Sequence, residues 1–216
     1  MHYVIVDLEM CKVPKANRTK EFRWSNEIIQ IGAVLFDDNY NIEDQFMTYV
    51  NPQYGRLTSY IEQLTGITMN DLNNAPTTET SLKRFVDWIP GDAIMVQWSE
   101  NDKYQLDREI KGKKIDFEGI QKLQRDWIDC QVQFTEIINA ERIFSLQEAL
   151  NISDIDYNSN IHDGLVDAQN TAMLFKKMNT EKPFRFSNYY LDSEDQANGF
   201  TTSFGDLLKK QMLEIA

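Results

Sequence analysis

The sequence predicts an α/β fold in which a mixed sheet carries helices on its faces. Three features lead there. The opening strand segments follow one another through a tight turn, as in a meander. The later segments alternate strand with helix. The strand segments are short runs rich in β-branched residues, whereas the helical ones repeat apolar residues at three- and four-residue spacing. The 216 residues, 42% hydrophobic and 12% aromatic, suffice for one well-cored domain with trimmings.

Each element follows from local chemistry. Residues 2–11, HYVIVDLEMC, form the first strand. A basic loop with Pro14 and Asn17 leads to EIIQIGAVLFD (27–37), whose β-branched content predicts a second strand. DDNYN turns the chain, and IEDQFMTYV (42–50) alternates well enough to pair back as a third, ended by Pro52. SYIEQLTGITMNDL predicts a short helix stopped near Gly66 and then a Thr68-capped turn. TTETSLKRFVDWI starts a helix near Thr77, places Leu82, Phe85, Val86 and Ile89 on one side, and stops before Pro90.

DAIMVQW (92–98) is the next strand, and SENDKYQLDREIKG a helix capped at Ser99 or Asn101 and closed by Gly112. WIDC reads as a short last strand leading into QVQFTEII, and SLQEAL has the Ser145 and Glu148 spacing of a capping box. HDGLVDAQNTAMLFKKM (162–178) makes a helix with Leu165, Ala168, Ala172 and Phe175 facing the core. Beyond Met178, SNYYLDSEDQANGFTTSFGD carries four acids and no base, which predicts an acidic surface connector, and DLLKKQMLEIA predicts a terminal helix docked on the domain.

Composition narrows the function. A net charge of −12 argues against coating nucleic acid by bulk electrostatics, which needs clustered Lys and Arg. Local charge differs: Lys12 to Trp24 holds five basic residues against Glu21 alone, and Lys103 to Arg125 holds seven against four acids, so both can meet phosphates or simply be solvated and salt-bridged. Cys11 and Cys130 lie far apart and form no C-x-x-C motif, which suits a reducing, cytoplasmic setting. No run approaches the roughly 20 apolar residues that span a bilayer, and the N-terminus has no leader pattern, so a soluble, unprocessed protein is expected.

Against this background two acids stand out. Asp7 and Glu9 share one face of the first strand, a position that an apolar strand would fill with hydrophobic residues. Two carboxylates about 4 Å apart repel by roughly 4 kcal/mol at an effective dielectric near 20, so either they are solvated at a strand end or a divalent cation sits between them. Asp102 opens a helix at the carboxyl end of a strand, where capping is one role and a site another. His162 precedes Asp167 by five residues, about 500° of helical rotation or about 140° net, so the two meet only if His162 sits just before the helix.

D-x-E on the first strand, an Asp at a mid-chain strand-to-helix junction and H-x(4)-D on a late helix together resemble the DEDDh family of 3′-to-5′ exonucleases. The stretches NEIIQIGAVLFD, LTGIT and HDGLVDAQNTA add to the likeness, which covers roughly residues 1–178. WSEND, with Trp98 four residues before Asp102, is more similar to the RNA-trimming branch of Eri1-type and bacterial sporulation-inhibitor exonucleases than to polymerase proofreading subunits. Met10 and Cys11 follow the acids where proofreading subunits usually begin with Thr, leaving only the Met10 backbone at the usual place for the 3′-terminal sugar.

The resemblance implies a ribonuclease H-like, mixed five-stranded sheet flanked by helices over residues 1–178, with 179–216 as an acidic extension packed on it. It also implies two-metal hydrolysis of a phosphodiester by Mg²⁺ or Mn²⁺, which hard carboxylate oxygens favour. Asp7 would bridge two ions, Glu9 and Asp167 would complete the first, Asp102 would hold the second, and His162 would act as general base. Leu64, Thr65 and Ile67 would wall the terminal base, with Met10 and Trp98 beside it; Trp24 and Trp98 could stack on bases or lie in the core. The expected partner is single-stranded RNA or DNA with a 3′ end. The rivals are a proofreading-type DNA exonuclease working with a polymerase, and a catalytically silent nucleic-acid-binding module.

Overall fold

Eleven residues of near-continuous Val, Ile, Leu and Met make β1 (His2–Lys12) a strand fit for burial on both faces, and it is the centre of the sheet. The computed structural model describes residues 1–159 and 162–187. β2 (Asn26–Phe36) pairs antiparallel with β1, and β3 (Ile42–Tyr49) antiparallel with β2. On the other side β4 (Ala93–Gln97) and then β5 (Ile128–Asp129) are added in parallel, giving the order β3-β2-β1-β4-β5. The five strands fall where their sequences predict them, within a residue or two.

Two irregularities shape the centre. Glu9 pairs with Gln30 and Met10 with Ile28, so Ile29 is the extra residue of a bulge in β2, beside the acid pair. The β1–β4 ladder runs from His2 opposite Ala93 to Val6 opposite Gln97 and then stops, while β1 continues along β2 to Lys12. Asp7 is therefore the first β1 residue beyond the end of β4, at the carboxyl end of two parallel strands, where sites in such sheets form.

The helices cover the apolar faces. α1 (Ser59–Thr65) is stopped by Gly66 at φ 71°, and α2 (Met69–Asn73) begins with a full capping box between Thr68 and Asp71. α3 (Thr78–Trp88) is capped by the Thr77 hydroxyl and buries Leu82, Phe85 and Val86; the rings of Phe85 and Trp88 pack 5.1 and 5.5 Å from Phe46 of β3. α4 (Asn101–Lys113) corrects the expected caps at both ends. Neither Ser99 nor Asn101 caps it; buried Gln97, at the end of β4, reaches forward so that its Oε1 accepts the Lys103 N–H at 2.9 Å. Gly112 does not close it either, since α4 ends at Lys114 with φ 54°. Gly112 lies inside the helix because a Cβ there would come within 2.5 Å of the Trp24 ring and 2.7 Å of Phe22.

The described residues group into two compact units. The first, residues 1–130 and 158–172, holds the sheet, α1 to α4 and the start of α7 (Gly164–Thr180). The second contains most of α5 (Cys130–Ile137), α6 (Leu146–Ile152) and the end of α7, around Phe134, Phe144 and Phe184. α6 has the Ser145 and Glu148 capping box its sequence predicts. On α7, Ala168, Ala172 and Phe175 are buried as expected, whereas Leu165 is half-buried. The acidic connector and terminal helix expected beyond Ser187 lie outside the described residues. Among those described, no helix is long and apolar enough to cross a membrane.

A buried charge cluster fastens α4 to β2. Lys113 pairs with Glu27 at 2.5 Å and Glu109 at 2.6 Å, and both carboxylates are fully buried. Glu27 also accepts the backbone N–H groups of Gln53, Tyr54 and Gly55, and Glu109 accepts that of Ile28. Removing the lysine would leave two buried carboxylates without their cation. Lys113→Met should lower stability by about 3–5 kcal/mol, the range for breaking a buried pair. The measurement is the urea midpoint; one unchanged from wild type would show that this charge does not hold α4 in place.

Candidate active site

The site begins with the break in the sheet. With β4 ended at Gln97, the polypeptide passes directly into α4 and carries Asp102 against the part of β1 that outruns β4, where its carboxylate accepts the Leu8 N–H. Asp7 and Glu9 face it from β1, Glu9 being 5% exposed and Asp102 7%. The fourth acid comes from α7. Its first turn lies directly on β2: a Cβ on Gly32 would sit 2.1 Å from the Gly164 carbonyl carbon, so only a glycine allows this approach. Gln30, fully buried among the Ile and Val residues of β2, accepts the Gly164 N–H at 2.8 Å and donates to Asp163 at 3.4 Å.

Asp163 caps the helix, accepting the N–H groups of Leu165 and Val166 at 3.0 and 3.2 Å. This places His162 outside the helix, at φ 68°, and its backbone N–H donates to Asp167 Oδ2 at 2.8 Å. The helical rotation that would separate His162 from Asp167 is thus cancelled. Ligand atoms of Glu9, His162 and Asp167 lie within 4.8 Å of one another. All five residues singled out by spacing, Asp7, Glu9, Asp102, His162 and Asp167, are brought to one place.

The electrostatics are one-sided. Burial first, then repulsion from Asp102, Asp167, Glu9 and Asp163, holds the Asp7 carboxyl well above the usual range. Glu9 is raised by burial and by Asp167, Asp102 and Asp163. Burial pushes Asp102 up to about 8 and Asp167 to about 6, each opposed in part by the backbone N–H it accepts. Among the described residues, every charged neighbour that shifts these groups is another acid. Burial also pushes the His162 imidazole below its ordinary value, keeping it neutral near pH 7.

Hard oxygen donors with one imidazole and, among the described residues, no thiol and no neighbouring cationic side chain fit a divalent cation such as Mg²⁺ or Mn²⁺. The remaining expected residues are more varied in position. Met10 is buried next to Glu9, Leu64 and Thr65 close α1 half-exposed, Ile67 is 2% exposed and Trp98 8% exposed. Trp24 is half-buried, edge-on to Phe22 at 5.5 Å. Sequence reasoning missed Gln30, Asp163 and Asp129, the last of which also raises Asp102. Gln30 carried the same signal as Asp7, a polar residue in an apolar strand.

Fold and site together define a hydrolase-type centre of buried carboxylates on the central strand, just beyond the end of β4. Residues 4–175 match the RNase T exonuclease family. The chain belongs to that family, of the DEDDh 3′-to-5′ exonuclease type. It is 30% identical over 179 residues to ERI1 exoribonuclease 2 of Danio rerio, covering 72% of this chain and 32% of that one. It is 28% identical over 176 residues to a PolC-type DNA polymerase III of Caldanaerobacter subterraneus, covering 82% of this chain and 11% of the polymerase. The chain thus spans about a third of the first relative and about a tenth of the second. The structure of a 3′-exonuclease recognising the 3′ end of a histone mRNA stem-loop superposes with a TM-score of 0.67 at 21% identity, covering 86% of this chain and 66% of the other. The sheet is ribonuclease H-like.

A stability prediction follows from the raised carboxyls. Without cations, the folded protein holds protons on Asp167 up to about pH 6 and on Asp102 up to about pH 8, whereas unfolding returns both to the ordinary 3.8. The folded state binds more protons in this window, so stability falls as pH rises. In EDTA the melting temperature should drop between pH 5 and pH 8.5 (about the span of these two transitions), and Asp102→Asn should flatten the drop. A melting temperature in EDTA that is level or rises over that range would contradict it.

Proposed function

We propose that this chain is a metal-dependent exonuclease that removes nucleotides from the 3′ end of single-stranded nucleic acid, RNA in preference to DNA, releasing nucleoside 5′-monophosphates. The observation that carries the reading is the meeting of Asp7, Glu9, Asp102 and Asp167 with His162 just beyond the end of β4, in a cluster that has no cationic side chain among the described residues. The exoribonuclease relatives favour RNA. Residues 1–178 are the exonuclease domain.

Asp7, Glu9, Asp102 and Asp167 would hold two divalent ions, Mg²⁺ or Mn²⁺. When bound, these supply Lewis-acid stabilisation of the attacking and departing oxygens. The chain's own residues do the rest. His162, kept neutral by burial and tethered through its backbone to Asp167, accepts a proton from the attacking water. The water oxygen bonds to phosphorus, the P–O3′ bond breaks, and the departing O3′ takes a proton from solvent water, so that the shortened strand leaves with a new 3′-hydroxyl. Half-exposed Leu64 and Thr65, with Ile67 beneath, would wall the terminal nucleotide, with the Met10 backbone and Trp98 as its further contacts.

A second reading, proofreading of DNA with a polymerase, draws on the PolC-type relative. Digestion of 5′-labelled single-stranded RNA and DNA of one sequence separates the possibilities. Wild type with Mg²⁺ or Mn²⁺ should give a ladder shortening from the 3′ end, faster on RNA and absent in EDTA. Asp7→Asn should abolish it, and His162→Asn should slow it by about 10²–10⁴-fold. Strands left intact by wild type but bound by it would favour a silent binding module, and preference for mispaired DNA ends would favour proofreading.

A further inference from the structure

The basic segment after β1 is not used by the chemistry described above, and the structure gives it a definite shape. Phe22 is fully buried beneath Gly112 and stacks on Tyr54 at 4.9 Å. Asn17 donates to the Tyr54 carbonyl at 2.8 Å, and the Val13 N–H donates to the Ser25 carbonyl at 2.8 Å. The loop from Val13 to Ser25 is thereby fixed against residues 51–56. The Arg18 guanidinium folds back on the Val13 carbonyl through two bonds of 3.2 Å. Arg56 is brought to the same strand end by a bridge to Lys12, its N–H donating to the Lys12 carbonyl at 2.7 Å.

Lys12 thus lies beside Arg18 and is paired through its backbone with Arg56, with Lys15, Lys20 and Arg23 on the same loop. Among the described residues none of the six forms an ion pair, in a protein whose acids outnumber its bases 34 to 22. Burial and the nearby Arg18 both disfavour the Lys12 charge, a cost that an anion would relieve. Half-buried Trp24 adjoins, with Arg23 5.9 Å from its ring. Lys12 is three residues along β1 from Glu9, about 10 Å at ordinary strand rise and on the opposite face by strand alternation, so a polymer reaching both rounds the end of β1. A fixed group of unpaired cations at that distance from a centre that handles phosphodiesters matches neighbouring phosphates of the same polymer.

We propose that Lys12, Arg18 and Arg56 form a second phosphate-binding surface that grips the nucleic acid outside the scissile bond, so that an acidic protein holds a polyanion through one local patch. This rests on the exonuclease reading for its substrate. The site acids repel the backbone, and the patch opposes that repulsion.

The test separates grip from cleavage by measuring binding in an Asp7→Asn background, in EDTA, by fluorescence anisotropy of a labelled single-stranded RNA oligonucleotide over a salt series. Single-strand binding loses about 0.7 in the slope of log K against log salt for each phosphate contact removed. Lys12→Gln with Arg56→Gln should therefore reduce the slope by about 1.4, and the charge-retaining pair Lys12→Arg with Arg56→Lys should restore it. Arg18 is left in place because it holds the Val13 carbonyl. Should the double variant melt early, Arg56→Gln alone, on an exposed side chain, should reduce the slope by about 0.7. A slope unchanged by these neutral substitutions overturns the patch. If wild type trims oligonucleotides while the slope is unchanged, only the patch fails; if wild type trims nothing while the slope falls, only the exonuclease reading fails.

Discussion

Like-charge repulsion among buried carboxylates is the constraint around which this molecule is arranged. Burial raises the pKa values of Asp7, Glu9, Asp102 and Asp167, and repulsion from neighbouring acids raises them further. A flexible surface would let such groups drift apart into water. Here each is mounted on an element that cannot yield: Asp7 and Glu9 on the central strand, Asp102 on a helix anchored through Gln97, and Asp167 on a helix seated against Gly32. The packing energy of the core holds the charges together, and the site is a place where the fold stores unfavourable electrostatics for a ligand to relieve.

The same arrangement explains the polar residues scattered through an otherwise apolar interior. Gln30 and Gln97 lie in strands of Ile, Val and Met, and each satisfies a helix N-terminus that begins at the site. At α4 the glutamine stands in for a local side-chain cap, the helix starting four residues after β4 ends, whereas at α7 it adds to the Asp163 cap. The Glu27, Lys113 and Glu109 cluster serves the same helix farther along, tying α4 to β2 and to residues 53–55 at once. α4 is thus held by polar contacts near both ends, and this fixes the depth at which Asp102 enters the site.

Much of this was legible in the sequence because burial and periodicity leave strong signatures. All five strands, the Thr77 and Ser145 caps and the Gly66 stop follow from local residue chemistry. Asp7, Glu9, Asp102, His162 and Asp167 were found by their spacing. What was hidden depends on contacts between distant segments. Gly112 looks like a helix terminator until Phe22 and Trp24, some ninety residues earlier, are seen to need its missing side chain. Ser99 and Asn101 look like caps until Gln97 takes the role. Asp163 and Asp129 are two acids among many, and only the folded chain sets them beside the other carboxylates.

One contact reaches further than its length suggests. Asp167 accepts the backbone N–H of His162, so the residue that would bind a cation also positions the residue that would move a proton. The two functions are energetically linked. A substitution at Asp167 removes a ligand and at the same time frees the left-handed turn on which His162 hangs. Effects at the two positions will not add, and the loss from both together falls short of the sum of the single losses. In the proposed reaction, ligand binding and proton transfer would form one cooperative unit joined through a main-chain hydrogen bond.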